Sequence, residues 1–329
     1  MSATLTRTTA RRGLVWAGPA LAGSGLLLLP LALAAPIPLT TFGLAALGLL
    51  HVAFELRYVI GRFRGTVDAL LGTVLALILS LIALSRVLAA LFPTVGQPVE
   101  ILLGMAILAA GAWVAGWRRA GLASVALLTF AAFLWPAWYF HVLTHLHNLI
   151  PLLFLWDWAR RRLGSGRAVA AFVGANLVWA LAIPVAIVLG TFDRFINTDP
   201  GAAAGWVGDG ARVLAASAPP GADPAVAARF LVAFALLQSM HYVVWIGFFP
   251  LFGREESREF DAAVPALRAW RLPALAVAAG AALYVAFLAS YSAGRTIYSV
   301  LAAYHVYVEF PLLVLLAAGA TRGARRVVT

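Results

Sequence analysis

The chain has 329 residues, of which 63% are hydrophobic, with 24 basic and 13 acidic side chains and a mean hydropathy of +0.93. A soluble domain of this length carries about a quarter charged residues; at 11% this chain cannot cover itself with a polar surface, and its wealth of aromatic and branched residues excludes disorder. The absence of cysteine excludes disulfides, thiolate metal sites and covalent haem attachment.

Composition therefore points to an all-α polytopic membrane helix bundle. A span needs roughly 20 apolar residues to cross ~30 Å of hydrocarbon. About ten runs qualify, at 13–35, 38–60, 66–92, 99–117, 121–137, 139–158, 168–191, 225–251, 272–293 and 296–319. The first is too long for a signal-peptide core, and Ala32–Leu33–Ala34 is a poor cleavage pattern, so it reads as a helix. The stretch 121–158 is too long for one span. Its centre, Trp135–Pro136–Ala137–Trp138–Tyr139, reads as an interfacial hairpin, because Trp and Tyr favour that depth and Pro cannot continue a helix unperturbed. The segment from Phe192 to Pro224, rich in Gly, Ala, Pro and Asp, reads as an external loop with a short interfacial helix. No soluble domain or internal repeat interrupts a single integral membrane domain over 1–329.

All 24 basic residues are arginine. Most cluster at 7–12, 62–64, 118–119, 160–167, 254–271 and 322–326, which ten spans place on one side, while Arg194, Arg212, Arg229 and Arg295 fall singly on the other. By the positive-inside rule both termini are cytoplasmic, and a bacterial cytoplasmic membrane is the expected location. The net charge of +11 is thus a topology signal in a GC-rich composition, and no nucleic-acid partner is expected.

The six histidines are the informative residues. His51, His141, His145, His147, His241 and His305 all fall inside expected spans, where ionisable side chains mark functional positions by default. They occupy spans two, six, eight and ten, which run in the same direction at similar depth. Spacing adds to this. His51 and Glu55, His305 and Glu309, and His141 and His145 are each four apart, so each pair shares a helix face. Facing helices build imidazole–carboxylate metal sites from such pairs. His147, two residues past His145, points to another face of a regular helix. Pro151 cannot donate to the carbonyl of His147, so a kink would re-aim the ring or leave it as a hydrogen-bond donor behind the ligands.

Each feature also has a structural reading. A lone intramembrane histidine often bridges helices; Glu55 has Arg57 and Arg62 nearby; Asp157 sits between Trp156 and Trp158 as a boundary anchor. Arg86 either snorkels outward or neutralises an acidic substrate group, and Tyr298, Tyr304 and Tyr307 read as packing and interface anchors. Six histidines on four spans outweigh a purely structural account. There is no Walker loop, HExxH helix, dinucleotide fingerprint, GxSxG motif or inverted pair of broken helices.

Three functions follow. The first is a membrane oxidoreductase or oxygenase with non-haem iron, acting with oxygen on a lipid-soluble small molecule among membrane lipids, with a redox partner if electrons are needed. Its metal ligands are His51, His141, His145, His241 and His305, with His147 adjoining, and Glu55 and Glu309 serve as ligands or bases. The second is a b-type haem protein ligated by imidazole pairs. The third is a metal-ion or proton permease lined by histidines. Oligomeric state is not legible.

The elements His51–x–x–x–Glu55, His141–x–x–x–His145 and His305–x–x–x–Glu309 resemble those of the Brp/Blh-type membrane β-carotene dioxygenases. The resemblance covers short patches. Val52 and Glu55 stand where that family carries Gly and Asp, and His241 follows the paired histidines instead of preceding them. It implies a multispan fold, histidine-bound iron and central cleavage of a carotenoid.

Overall fold

The structure is a computed structural model that describes the backbone from Ser2 to Val328 and the side chains of residues 17–319. The arginines at 7–12 and 322–326, on which the placement of both termini rests, lie outside the described side chains. Among the described residues every regular element is helical, and there is no strand.

Eight helices are individually long and apolar enough to cross a membrane: α1 (Ser2–Ala34), α2 (Pro36–Phe63), α3 (Ala69–Leu91), α4 (Pro93–Val114), α7 (Gly166–Val188), α8 (Pro224–Phe252), α10 (Arg271–Ala289) and α11 (Tyr291–Val328). Between them lie α5 (Arg118–Leu134), α6 (Pro136–Arg162) and the short polar α9 (Arg254–Ala263). The protein is a multi-pass, all-α membrane protein.

The span count differs in one place from the ten runs read in the sequence. Helices α5 and α6 satisfy the length and hydropathy test only together, and they meet at a 118° bend. The physical cause is local. Trp135 takes φ −132° and ψ 65°, because the residue before a proline is disfavoured in helical conformation. Helix α5 has only 17 residues, while α6 carries three histidines, Asp157 and three arginines that lower its hydropathy.

The chain divides into two compact units, residues 1–47 with 143–253 and residues 48–142 with 254–329. In the first, α1 packs against α7 and α8. Both partners contain a π-helical stretch, Val178–Ala182 in α7 and Val243–Phe248 in α8. Each stretch leads into a proline, Pro184 or Pro250. A proline inside a helix lacks the N–H for the carbonyl four residues back, and its ring clashes there; a widened turn absorbs both effects. Trp158, Phe172, Phe248 and Phe252 form an aromatic core, in which Trp158 Nε1 donates to the Phe252 carbonyl at 3.2 Å.

The segment expected as a loop with one short helix holds four short helical turns, Asp193–Phe195, Gly201–Ala203, Ala204–Val207 and Ala211–Ser217. It is tied down by Asn197 N donating to the Leu33 carbonyl at 2.9 Å and by Arg229 gripping both carboxylate oxygens of Asp193, with Nε to Oδ1 at 2.8 Å.

In the second unit α3 and α4 form a tight hairpin hinged at Phe92, and α11 packs along both. The last turns of α2 hold α9: Arg57 donates to both oxygens of Asp261 at 2.8 and 3.0 Å, and Gly61 lies directly on the backbone of Glu256. A Cβ at Gly61 would come within 1.9 Å of the Glu256 carbonyl oxygen.

Gly61→Ala is therefore expected to destabilise the protein by about 1–3 kcal/mol or more through overpacking. Gly23→Ala, where nothing lies within 4 Å of the new carbon, is expected to be neutral or slightly stabilising; thermal unfolding in detergent separates the two. A second expectation concerns acid. Asp193 sits below the ordinary carboxylate range, chiefly because Arg229 hydrogen-bonds its ionised form. A depressed folded value means that the stabilisation is complete above the unfolded value of about 3.9 and is lost as pH falls through the folded one. Proteolysis of the 190–223 segment should accelerate over that acidic window in the wild type. Asp193→Asn should show the faster rate already at neutral pH.

Candidate metal centre

Two histidine pairs are built in the same way, one in each unit. In the second unit α2 presents His51 and α11 presents His305, and their Nε2 atoms lie 3.1 Å apart. The rings meet edge to face at a 4.9 Å centroid separation, and the residues are 1% and 0% exposed. Two imidazole nitrogens facing at this distance have two chemical solutions. One bears a hydrogen and donates it to the other, or both direct lone pairs at a shared cation. One turn further along each helix stand Glu55 and Glu309, both 0% exposed and neighbours through their carboxyl groups.

In the first unit α6 presents His147 and α8 presents His241, with ring centroids 4.5 Å apart. His241 precedes the π-helical stretch of α8 by two residues. His147 shares its helix face with Leu143, Ile150, Phe154 and Trp158, all buried; these residues are spaced −4, +3, +7 and +11 from it, the stripe of one helical face.

Imidazole nitrogens at ~2.0–2.1 Å from a tetrahedral metal are about 3.4 Å apart, so the His51–His305 pair, with its Nε2 atoms 3.1 Å apart, has the dimensions of two ligands on one ion. Its donors are neutral nitrogens without thiolate, a set that suits zinc, iron and other imidazole-preferring ions.

The remaining histidines have other surroundings. His145 Nε2 donates to the Ser217 carbonyl at 2.8 Å, between the edges of Phe230 and Phe234. This bond ties α6 to the last turn of the Ala211–Ser217 helix. His141 is half-buried and meets Trp138 edge to face at 5.7 Å. The two-residue step from His145 to His147 corresponds to about 200° of rotation, which is why these neighbours serve different surroundings.

Arg86 neither snorkels outward nor waits for an acidic group from outside the chain. It pairs with Glu100 on α4, both Nε and Nη2 lying 2.9 Å from Oε1, and also donates to the Ser299 carbonyl. Glu100 escapes the sequence reading. The available signal is hairpin symmetry: Arg86 lies six residues before Phe92 and Glu100 eight after it, which gives similar depths at ~1.5 Å per residue. Tyr307 is more than a packing residue, since its hydroxyl donates to Glu100 Oε1 at 2.8 Å. Arg57, the nearest cation to Glu55 in sequence, is engaged by Asp261, and Asp157 accepts from Arg161 Nε at 3.0 Å.

His305→Ala and His51→Ala are each expected to lose most of the bound metal from purified protein, measured by elemental analysis. His145→Ala should retain the metal while increasing proteolysis around Ser217. Metal retained by the first two variants and lost in the third would reverse these assignments.

No protein-family model matches the chain, and neither the curated proteins nor the solved structures contain a significant match to it.

Proposed function

We propose that the protein is a membrane-embedded, metal-dependent oxidoreductase of the oxygenase type, with non-haem iron held at His51 and His305 beside Glu55 and Glu309 and a lipophilic substrate. The observation that carries the reading is the buried pairing of His51 and His305, with Nε2 atoms 3.1 Å apart and the buried carboxyl groups of Glu55 and Glu309 one turn away. A structural bridge needs one imidazole and one partner, whereas two imidazoles and two carboxyl groups buried together between apolar helices are costly to assemble without a cation.

Bound iron would supply one-electron redox chemistry and coordination positions beyond the two imidazoles. The chain's own groups do the rest. The neutral histidines hold the ion without adding charge. Glu55 and Glu309 stand one turn away on the helices of His51 and His305, where they can compensate the ion's charge and take up or return a proton. Apolar helix walls exclude water and favour a substrate that already partitions into the bilayer. A bacterial cytoplasmic membrane and a reduced redox partner complete this setting, and the resemblance to carotenoid dioxygenases makes a conjugated isoprenoid the first substrate to try.

Haem is served less well by the same geometry. Axial imidazoles on opposite faces of a haem iron stand about 4 Å apart with the macrocycle between them, whereas the Nε2 atoms of His51 and His305 are 3.1 Å apart. A permease is the third reading, with the histidines as its ion path.

Elemental analysis and absorption spectroscopy of detergent-purified protein test the proposal. About one iron per chain without a Soret band, followed by oxygen-dependent consumption of β-carotene or another isoprenoid, is the expected result. A Soret band would replace the reading with haem. Zinc alone, or metal that crosses vesicles without turnover of any isoprenoid, would replace oxygenase chemistry with transport or hydrolysis.

A further inference from the structure

The second unit contains an ionic array that the proposed chemistry leaves unused. Arg86 on α3 and Glu100 on α4 form an ion pair at 2.9 Å. Glu100 is 4% exposed and also accepts from the Tyr307 hydroxyl at 2.8 Å, while Tyr307 itself is 1% exposed. The Tyr139 hydroxyl of α6 lies 3.2 Å from that of Tyr307. Tyr307 has one hydroxyl hydrogen and gives it to Glu100, so Tyr139 is the donor to Tyr307. The array is therefore directional, from Tyr139 through Tyr307 to a carboxylate held by a guanidinium. Gly104 leaves the space for both phenols: a Cβ there would come within 2.6 Å of the Tyr139 hydroxyl and of the Tyr307 ring.

This array grips α11 at two heights. Arg86 holds the Ser299 carbonyl, and Glu100 holds the Tyr307 hydroxyl eight residues later, about 12 Å along the axis. Two fixed points set both the rotation and the tilt of a helix, where one would set neither. Tyr307 is two residues from His305, about 200° around the helix, so the grip lies behind the face that presents the imidazole to His51. Metal–nitrogen distances tolerate roughly 0.2 Å. At a side-chain radius of ~6 Å that corresponds to only about 2° of helix rotation.

We propose that Arg86, Glu100 and Tyr307 are positioning residues for the metal centre, which hold α11 from behind so that the His305 nitrogen stands at bonding distance from the ion shared with His51. The inference rests on the proposed metal site at His51 and His305 and adds to it the machinery that fixes one ligand. Tyr304 offers an internal control. It neighbours His305 in sequence, and its hydroxyl donates to Ser80 at 3.0 Å, but it takes no part in the array.

The test is a cobalt(II) titration of the full chain in detergent, following the ligand-field bands, with helicity and thermal unfolding recorded for every variant. Tyr307→Phe keeps the Arg86–Glu100 pair and deletes one hydroxyl. It should weaken cobalt binding about tenfold, as loss of groups supporting ligands does, and shift the bands while helicity is unchanged. Glu100→Gln should weaken it further, and Tyr304→Phe should leave affinity and spectrum at wild-type values. Wild-type affinity and spectrum in both Tyr307→Phe and Glu100→Gln would overturn the inference. So would an equal loss in Tyr304→Phe, which would mark a general sensitivity of α11. A wild-type chain that binds none of cobalt, zinc or iron would overturn the metal reading itself, and this inference with it.

Discussion

Lipid offers polar groups neither hydrogen bonds nor charge screening, so each polar side chain placed between these helices has to be answered by another part of the chain. Most of the architecture follows from that constraint. Arg86 finds Glu100, Tyr307 finds the same carboxylate, Asn176 Oδ1 accepts from Trp179 Nε1 at 2.7 Å, and Gln238 donates to the Tyr242 hydroxyl at 2.7 Å. The His51–His305 pair is the extreme case: the two residues are 1% and 0% exposed and their Nε2 atoms face each other at 3.1 Å. A hydrogen bond between the rings or a shared cation answers both nitrogens, and the proposed metal site is the second of these.

The backbone meets the constraint by different means. Internal prolines break the i to i−4 ladder at Pro184 and Pro250, and each time a π-helical turn accommodates the loss inside a continuous helix. At Pro136 the chain bends instead, by 118°. The outcome depends on the preceding residues. Val243–Phe248 is packed among aromatic rings, which hold the helix in line. Trp135 and Trp138 are exposed, in keeping with an amphipathic boundary where a bend costs little. Helix α8 gains something further from its wide turn, since the irregularity begins two residues after His241. Such insertions recur where a side chain has to be aimed away from the regular position.

The helical class and the membrane setting were legible from composition because hydropathy is additive along the chain. The approximate helix limits were legible from Pro, Gly and Arg placement. The histidines stood out for a similar reason: their presence in apolar runs is a local anomaly that needs no knowledge of packing. Glu100 was harder to see, since its importance lies in a partner across a hairpin. Pairing of residues 14 apart depends on how two helices rotate against each other, and neither helix states its rotation alone.

His145 and His147 mark the boundary most clearly. Their two-residue spacing determines that they face different ways, a consequence of 3.6 residues per turn. It does not determine which of them meets His241, because that depends on the face α8 covers and on where the Ala211–Ser217 helix leaves an unsatisfied carbonyl. The sequence by itself determined a polytopic helical chain, the four helices that carry imidazoles, and the carboxylates one turn from two of them, all of which are properties of single segments. Tertiary structure decided which nitrogens come together, that Arg86 is answered within the chain, and that Tyr307 is hydrogen-bonded as well as packed. Those outcomes depend on helix rotation and register, where a few degrees decide whether two side chains meet.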